Sequence, residues 1–458
     1  MTIAFAGIPH EYTEGALAPV STEYTAWDLP VTGSIPPELD GLYLRNGPNP
    51  PPVPYDGPYH WFLPDGMLHG VRIRDGKALW YRNRWIRTEA LAGKLDTRPA
   101  QGPADIALVP NTSNTNVIEH AGRILTLAEW GLPYEVDREL NTLGRHDFGG
   151  ALAAPMTAHP KIDPRTGEMY LISFGPVAPY LRYFVVDATG ALVRSEIIDV
   201  EGPSLMHDWA MTENHVLFLD LPIVFDADYG AVAGFPYRWD DDYGARVGIM
   251  PKAGTSADGR WFEIDPCMII HTLNAYELGT EVVLEAARYS NAVRDRWRPD
   301  VLAIDVGATL HRWRFDLHAR TVREEAVDGR TFEFPKINPG LVGAPSAVGY
   351  GVETSHGERA GFGGLLKWDL GTGACLRHDV GDGRVAAEGT FVPHPQARAE
   401  DEGWLLSYVY DPARDASDLV IVDASDFSGA PRAVIGLPQR VPLGFHGCWI
   451  PIAEGQPA

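Results

Sequence analysis

The sequence predicts an all-β chain built from many small antiparallel sheets, and three observations carry that prediction. Apolar runs are short, four to eight residues, and rich in β-branched and aromatic side chains, as in Val216-Leu217-Phe218-Leu219, Val282-Val283-Leu284 and Leu405-Leu406-Ser407-Tyr408-Val409. Stretches with a clean 3.6-residue apolar period are hard to find. Between the runs a polar turn recurs that usually contains Asp and often Gly, residues that supply the backbone geometry of hairpins.

In chain order the hairpin signal appears in IRDGKALWY (from Ile73), EHAGRILTL (from Glu119), KIDPRTGEMYLI (from Lys161) and VVDATGALV (from Val185). It returns in RFDLHARTV (from Arg314), KWDLGTGACL (from Lys367) and IVDASDFSGA (from Ile421). A β-propeller assembles such hairpins radially into four-stranded blades; a run of two or three β-sandwiches would give the same local pattern. The segment Pro222 to Tyr243 does not read as strands and is expected to be a loop carrying binding surface, with Phe225, Phe235, Tyr237 and Trp239 as a candidate apolar entrance.

The chain of 458 residues has 38 Lys plus Arg against 61 Asp plus Glu, a net charge of −23. Such a surface repels phosphates, so nucleic acid is excluded as a partner and anionic membranes are disfavoured, although a local apolar patch could still touch lipid. The three cysteines, Cys267, Cys375 and Cys448, are widely spaced, which speaks against a disulfide framework and a thiolate zinc site. No window approaches the roughly 20 apolar residues of a membrane span, and the first residues lack a basic leader. A cytosolic protein, with peripheral membrane contact left open, is expected.

Four of the 15 histidines stand apart. His159 (MTAHPKIDP), His207 (SLMHDWAMTEN), His271 (MIIHTLNAYE) and His446 (PLGFHGCWIP) each lie beside apolar or small residues at the edge of a strand-like run, whereas His10, His120, His318 and His394 sit in polar turns and are expected at the surface. The gaps of 48, 64 and 175 residues correspond to one, one and three blades of about 50–60 residues each. Four imidazoles from four blades could therefore converge, a coincidence that a sandwich gives no reason for. Imidazole suits Fe, Zn, Cu and Ni; four such ligands on an octahedral ion leave two positions open, whereas a tetrahedral zinc site would be closed and structural. A metal-bound imidazole needs its other N–H satisfied, usually by a carboxylate or carbonyl. Glu129, Glu333 and Glu388, each set among apolar or small neighbours, are the candidates. A two-histidine, one-carboxylate site using Asp208 is disfavoured, because on a strand His207 and Asp208 point to opposite faces. There is no G-x-S-x-G elbow for a serine hydrolase and no Gly-rich dinucleotide fingerprint.

These segments resemble the carotenoid cleavage oxygenase family, which includes stilbene-cleaving enzymes and the retinal pigment epithelium isomerase. The resemblance runs from GLYLRNGPNP (Gly41 to Pro50) to GFHGCWIP (Gly444 to Pro451), through HWFLPDGMLHG, NTSNTNVIEHAGR, TAHPKIDPRTGE, MHDWAMTEN, HTLNAYE and EFPKIN. It implies one domain over 1–458: a seven-bladed β-propeller with a cap of loops and short helices over an axial Fe(II), bound by His159, His207, His271 and His446. It places the glutamates that back the ligand imidazoles at Glu129, Glu333 and Glu388. At Thr115 it places a methyl group that crowds one open metal position in the double-bond-cleaving members, which argues against an isomerase. Phe62, Leu205, Ile270 and Phe334 would line the substrate tunnel. Departures are Phe62-Leu63-Pro64-Asp65-Gly66-Met67 where the family has F-D-G-D-G-M, Gly389 after the third glutamate, and Ala128 where stilbene cleavers with a phenol-binding lysine carry that lysine. The expected reaction is addition of O2 across a C=C bond of a carotenoid or apocarotenoid to give two aldehydes, with Fe(2+) the sole cofactor. A stilbene or other aryl-alkene is the alternative substrate; a propeller that only binds lipids or partners is the non-enzymatic one.

Overall fold

The computed structural model describes residues 5–107, 109–296, 307–355 and 361–452. Both ends of the expected 1–458 domain lie outside them. The chain forms two compact units, one of residues 1–156, 363–365 and 377–458 and the other of 157–362 and 366–376.

The first unit holds three sheets. Its five-stranded sheet runs Tyr24–Trp27, Lys77–Trp85, Gly66–Arg74, Gly41–Pro48, Gly447–Pro451, so that an early strand and the last strand described pair directly, Gly41 opposite Pro451. A four-stranded sheet follows (Asn116–His120, Arg123–Leu127, Tyr134–Val136, Thr142–Arg145), then a six-stranded one that again joins an early strand, Val31–Gly33, to a late one, Ala433–Gly436. The second unit holds two four-stranded sheets, beginning at Lys161–Ile162 and Ala210–Met211, a two-stranded hairpin, and most of a seven-stranded sheet that runs from Met268–Leu278 to Cys375–His378. Taking the seven-stranded sheet as two blades, the described sheets of four or more strands amount to seven blade-sized pieces. The helices described are short: Glu89–Leu95, Ala227–Ala233 and Ala292–Arg296.

All seven hairpin turns read from the sequence are turns between paired strands. Asp75 and Gly76 join the strands Gly66–Arg74 and Lys77–Trp85 with φ of 50° and 69°, the left-handed pair that a two-residue hairpin needs. Ala121 and Gly122 do the same before Arg123.

The segment from Pro222 to Tyr243 is not the open loop expected. Ile223–Phe225 pairs with Tyr237–Trp239, and between them Asp226 caps the helix Ala227–Ala233 by accepting from Tyr229 N–H at 2.9 Å. The hairpin turns its aromatics inward: Phe235 and Tyr237 are buried, with ring centroids 5.5 Å apart, and Phe225 packs edge-on to Tyr237. Val232, on the helix, is the large apolar side chain this segment exposes. No helix among the described residues is long and apolar enough to cross a membrane.

His120 is likewise buried rather than at the surface, and so are His60, His69 and His378. His69 contacts the Tyr81 hydroxyl at 2.9 Å; its burial, reinforced by the nearby Arg45 charge, pushes its pKa down to about 3. Above about pH 6.5, the ordinary imidazole value, the ring is neutral folded or unfolded and the contribution to stability is complete. As pH falls from there towards 3, the unfolded chain takes up a proton that the folded state refuses, so stability declines by up to about 1.4 kcal/mol per pH unit. His69→Gln is expected to flatten the acid limb of a plot of Tm against pH; an unchanged slope would show that this ring does not set it.

Candidate metal centre

The second unit brings three of the four expected histidines together. His159 lies just before the strand Lys161–Ile162, His207 just before Ala210–Met211, and His271 within Met268–Leu278. His159 Nε2 is 3.0 Å from His207 Nε2, which is 3.3 Å from His271 Nε2. The three rings are mutually inclined by 61–67° with centroids 4.5–5.2 Å apart, so they face a common point rather than stack.

Local irregularity aims these groups. The ladder of His271 slips between Ile269 and Thr272, so this residue leaves the strict in-out alternation of a strand; Glu333 pairs opposite Val352, and its ladder slips directly after it, between Glu333 and Lys336. Phe334, next to the glutamate, has φ 54°, a conformation rare for an aromatic residue. His271 Nδ1 lies 2.6 Å from Glu333 Oε2, which also accepts from Phe334 N–H at 2.9 Å, while Tyr289 donates its hydroxyl to Oε1. Burial alone would raise the Glu333 pKa; the His271 ring and these donors outweigh it and hold the carboxyl below its ordinary range. An ionised carboxylate only accepts, so the His271 proton sits on Nδ1 and the Nε2 lone pair turns towards the other two rings.

Asp208 is no part of this cluster, although His207 and Asp208 precede the strand Ala210–Met211 and the strand alternation expected there does not apply. Its carboxylate takes Lys161 Nζ at 2.7 Å and both the N–H and hydroxyl of Thr272 at 2.7 and 2.8 Å. Burial would raise its pKa, but Lys161 and His271 lead the opposing interactions and bring it below its ordinary value. The Trp209 indole N–H donates to His159 O at 2.8 Å. Asp208 and Trp209 thus tie together the segments carrying His159, His207 and His271, a role that the motif MHDWAMTEN did not disclose. Leu205 and Ile270 are partly exposed beside their histidines, and Phe334 packs 5.5 Å from the His271 ring.

The first unit holds the fourth histidine with its own partners. His446 Nδ1 lies 2.7 Å from Glu388 Oε1, and Gly447 N–H donates to Oε2 at 2.7 Å, so this imidazole is backed as His271 is. Thr115 is buried and joined to His446 by the bond from His446 N–H to Thr115 O, 3.1 Å. Glu129 and Ala128 are buried just past the end of the strand Arg123–Leu127. Phe62, partly exposed, packs edge-on to Phe445 with centroids 5.6 Å apart.

The donor set of the second unit fits a metal ion. Two nitrogens about 2.1 Å from a common ion stand about 3.0 Å apart at a right angle and about 3.4 Å apart at a tetrahedral one, and the observed 3.0 and 3.3 Å fall in that interval.

The family described as retinal pigment epithelial membrane protein matches residues 17–451. A carotenoid cleavage oxygenase of Mycobacterium tuberculosis is 41% identical, over 96% of this chain and 97% of its own length. This chain belongs to the carotenoid cleavage oxygenase family. The carotenoid 9,10(9′,10′)-cleavage dioxygenase 1 of Arabidopsis thaliana is 33% identical over 97% of the chain and 90% of its own. Among solved structures, the lignostilbene dioxygenase of Pseudomonas brassicacearum superposes with a TM-score of 0.87 at 28% identity, covering 98% of this chain and 100% of that one. The cobalt-substituted apocarotenoid oxygenase of Synechocystis gives 0.82 at 27% identity, covering 95% and 97%. The fold is therefore the β-propeller of these oxygenases, and the sandwich alternative falls. The similarity to proteins named as carotenoid cleavage oxygenase and dioxygenase makes the chain an oxygenase of oxidative alkene cleavage.

Proposed function

We propose that this protein is an Fe(II)-dependent dioxygenase that cleaves a C=C bond of a carotenoid or apocarotenoid with O2, giving two aldehydes, and that the chain acts as a single domain. The observation that carries the reading is the convergence of three imidazole Nε2 atoms at 3.0 and 3.3 Å, one of them backed by a buried carboxylate. His446, backed in the same way by Glu388, is proposed as the fourth ligand. Four neutral imidazoles without a thiolate suit iron, and a related structure carries cobalt in substitution. The uninterrupted family match over residues 17–451 supports a single working domain.

When bound by the four histidines, the iron would supply activation of O2. The protein's part is orientation and exclusion. Glu333 and Glu388 hold protons on Nδ1 of His271 and His446 and fix the ring planes; Glu129 is proposed to serve a further imidazole. Thr115 is proposed to restrict, with its methyl group, the space open to O2 and substrate. Phe62, Leu205, Ile270 and Phe334 are proposed to hold the alkene in an apolar channel. Ala128, buried and uncharged, offers no cation to a phenol, which favours a polyene over a 4-hydroxystilbene. Peripheral membrane contact, delivering such a substrate, is proposed as well.

The test is anaerobic loading with Fe(II), then addition of an apocarotenal and ¹⁸O-labelled O2. Iron-dependent loss of the polyene band, with label in both aldehyde products, is expected. Turnover of stilbenes but not of apocarotenals would move the substrate to aryl-alkenes; label in one product only would refute the dioxygenase reading.

A further inference from the structure

We infer that Asn46 is a positioning residue that fixes Thr115 and His446 relative to each other; the inference rests on the proposed role of His446 as a ligand. Asn46, in the strand Gly41–Pro48, is fully buried. Its side chain spends both N–H groups on the segment around Thr115: Nδ2 donates to Ser113 O at 2.8 Å and to Asn116 O at 2.9 Å, the carbonyls that bracket Thr115. Its Oδ1 accepts from Gly47 N–H at 2.9 Å, which locks the amide orientation. Its backbone engages the segment around the ligand: Asn46 N–H donates to His446 O at 2.9 Å, and Phe445 N–H donates to Asn46 O at 3.1 Å. His446 N–H to Thr115 O, 3.1 Å, closes the third side.

The approach is tight around this triangle. A Cβ built on Gly47 would stand 2.6 Å from Gly444 Cα, and one on Gly444 would stand 2.6 Å from Arg45 Nη2 and 2.7 Å from Gly47 Cα. Arg45 Nη2 in turn donates to Pro442 O at 2.6 Å. Strand and ligand loop therefore touch backbone to backbone, with no compressible side chain between them, and a shift in one is passed to the other. The Asn46 amide is the part that extends this rigidity to Thr115. Without it, Ser113 O and Asn116 O each lose a donor, and the segment around Thr115 loses two ties to the strand Gly41–Pro48. The backbone register between Thr115 and His446 would then loosen.

Asn49 supplies a matched comparison. It is almost as deeply buried and lies three positions further along the chain. Its side chain bonds the Val20 backbone instead, accepting from Val20 N–H at 2.8 Å and donating to Val20 O at 2.9 Å. The experiment uses full-length protein loaded with Co(II), reading the dissociation constant by titration, the ligand-field absorption bands and Tm, for Asn46→Ala, Asn46→Ser and Asn49→Ala. The expected result is a loss of Co(II) affinity of about 10–100-fold, the range for removal of outer-sphere support, with displaced bands in Asn46→Ala. Asn49→Ala should lose Tm and keep both metal readouts. Should Asn46→Ala not fold, Asn46→Ser is read by the same criterion. Wild-type affinity and bands in the Asn46 variant, or equal changes in Asn49→Ala, overturn the inference. So does failure of both Asn46 variants to fold while Asn49→Ala folds, since Asn46 would then support the fold alone. If the unsubstituted protein itself takes up no Co(II), the proposed metal centre fails and this inference with it.

Discussion

His271→Ala is expected to abolish iron binding and turnover together. The imidazole is the meeting point of two sets of contacts: its Nε2 faces His207 at 3.3 Å, and its Nδ1 meets Glu333 at 2.6 Å. Removal takes a partner from the buried Glu333 carboxylate, which keeps the Tyr289 hydroxyl and Phe334 N–H as donors, so the local charge balance is lost along with the ligand. Loss of an outer-sphere partner costs about 10–100-fold; loss of an inner ligand should exceed that. Iron content after anaerobic loading, and initial rate on the same sample, should fall together by more than about 100-fold. The strand itself should persist, because Thr272 and Asn274 keep their bonds to Asp208 and Ala344, so circular dichroism should be unchanged. A variant that keeps iron and turns over would remove His271 from the centre.

Glu388→Gln carries the second large effect, of a different kind. Glu388 is buried and accepts from His446 Nδ1 and Gly447 N–H, both at 2.7 Å. Glutamine preserves the volume but replaces one acceptor oxygen by a donor. Either Gly447 N–H or His446 Nδ1–H then confronts an N–H, and the imidazole no longer leans on a charge. Folded protein with activity or iron affinity lowered about 10–100-fold is expected. Unchanged iron content and rate would show that the carboxylate does not support a ligand.

Much of this was legible in the residues, for reasons that differ from site to site. The four histidines stood out because each sits among apolar neighbours where an imidazole needs a partner, and Glu333 and Glu388 because a carboxylate in an apolar run is costly unless bonded. The hairpins were legible because Asp-Gly turns encode their own geometry. What the sequence hid depends on tertiary pairing. The strands Ile223–Phe225 and Tyr237–Trp239 have three residues each and the helix between them seven, too few for any period to register. His120 reads as polar because it opens a turn, EHAGR, yet it is buried. The register slip that takes His271 off its strand alternation, and the one that follows Glu333, leave no composition signal. Tyr289 carries none either: an aromatic at the end of an apolar strand reads as core until its hydroxyl is found on Glu333. Asn46 lies in the quoted LRNGPNP segment, yet its two donations go to carbonyls 67 and 70 residues away.

Everything proposed for this protein depends on a centre of four imidazoles that takes Fe(II), and X-ray absorption on anaerobically loaded protein reads that centre without an assay. One iron per chain with four imidazole nitrogens in its inner sphere is expected, and loss of that iron in His446→Ala as in His271→Ala. Iron held by three imidazoles in the unsubstituted protein, an inner-sphere carboxylate, or no bound iron at all would contradict the four-histidine centre.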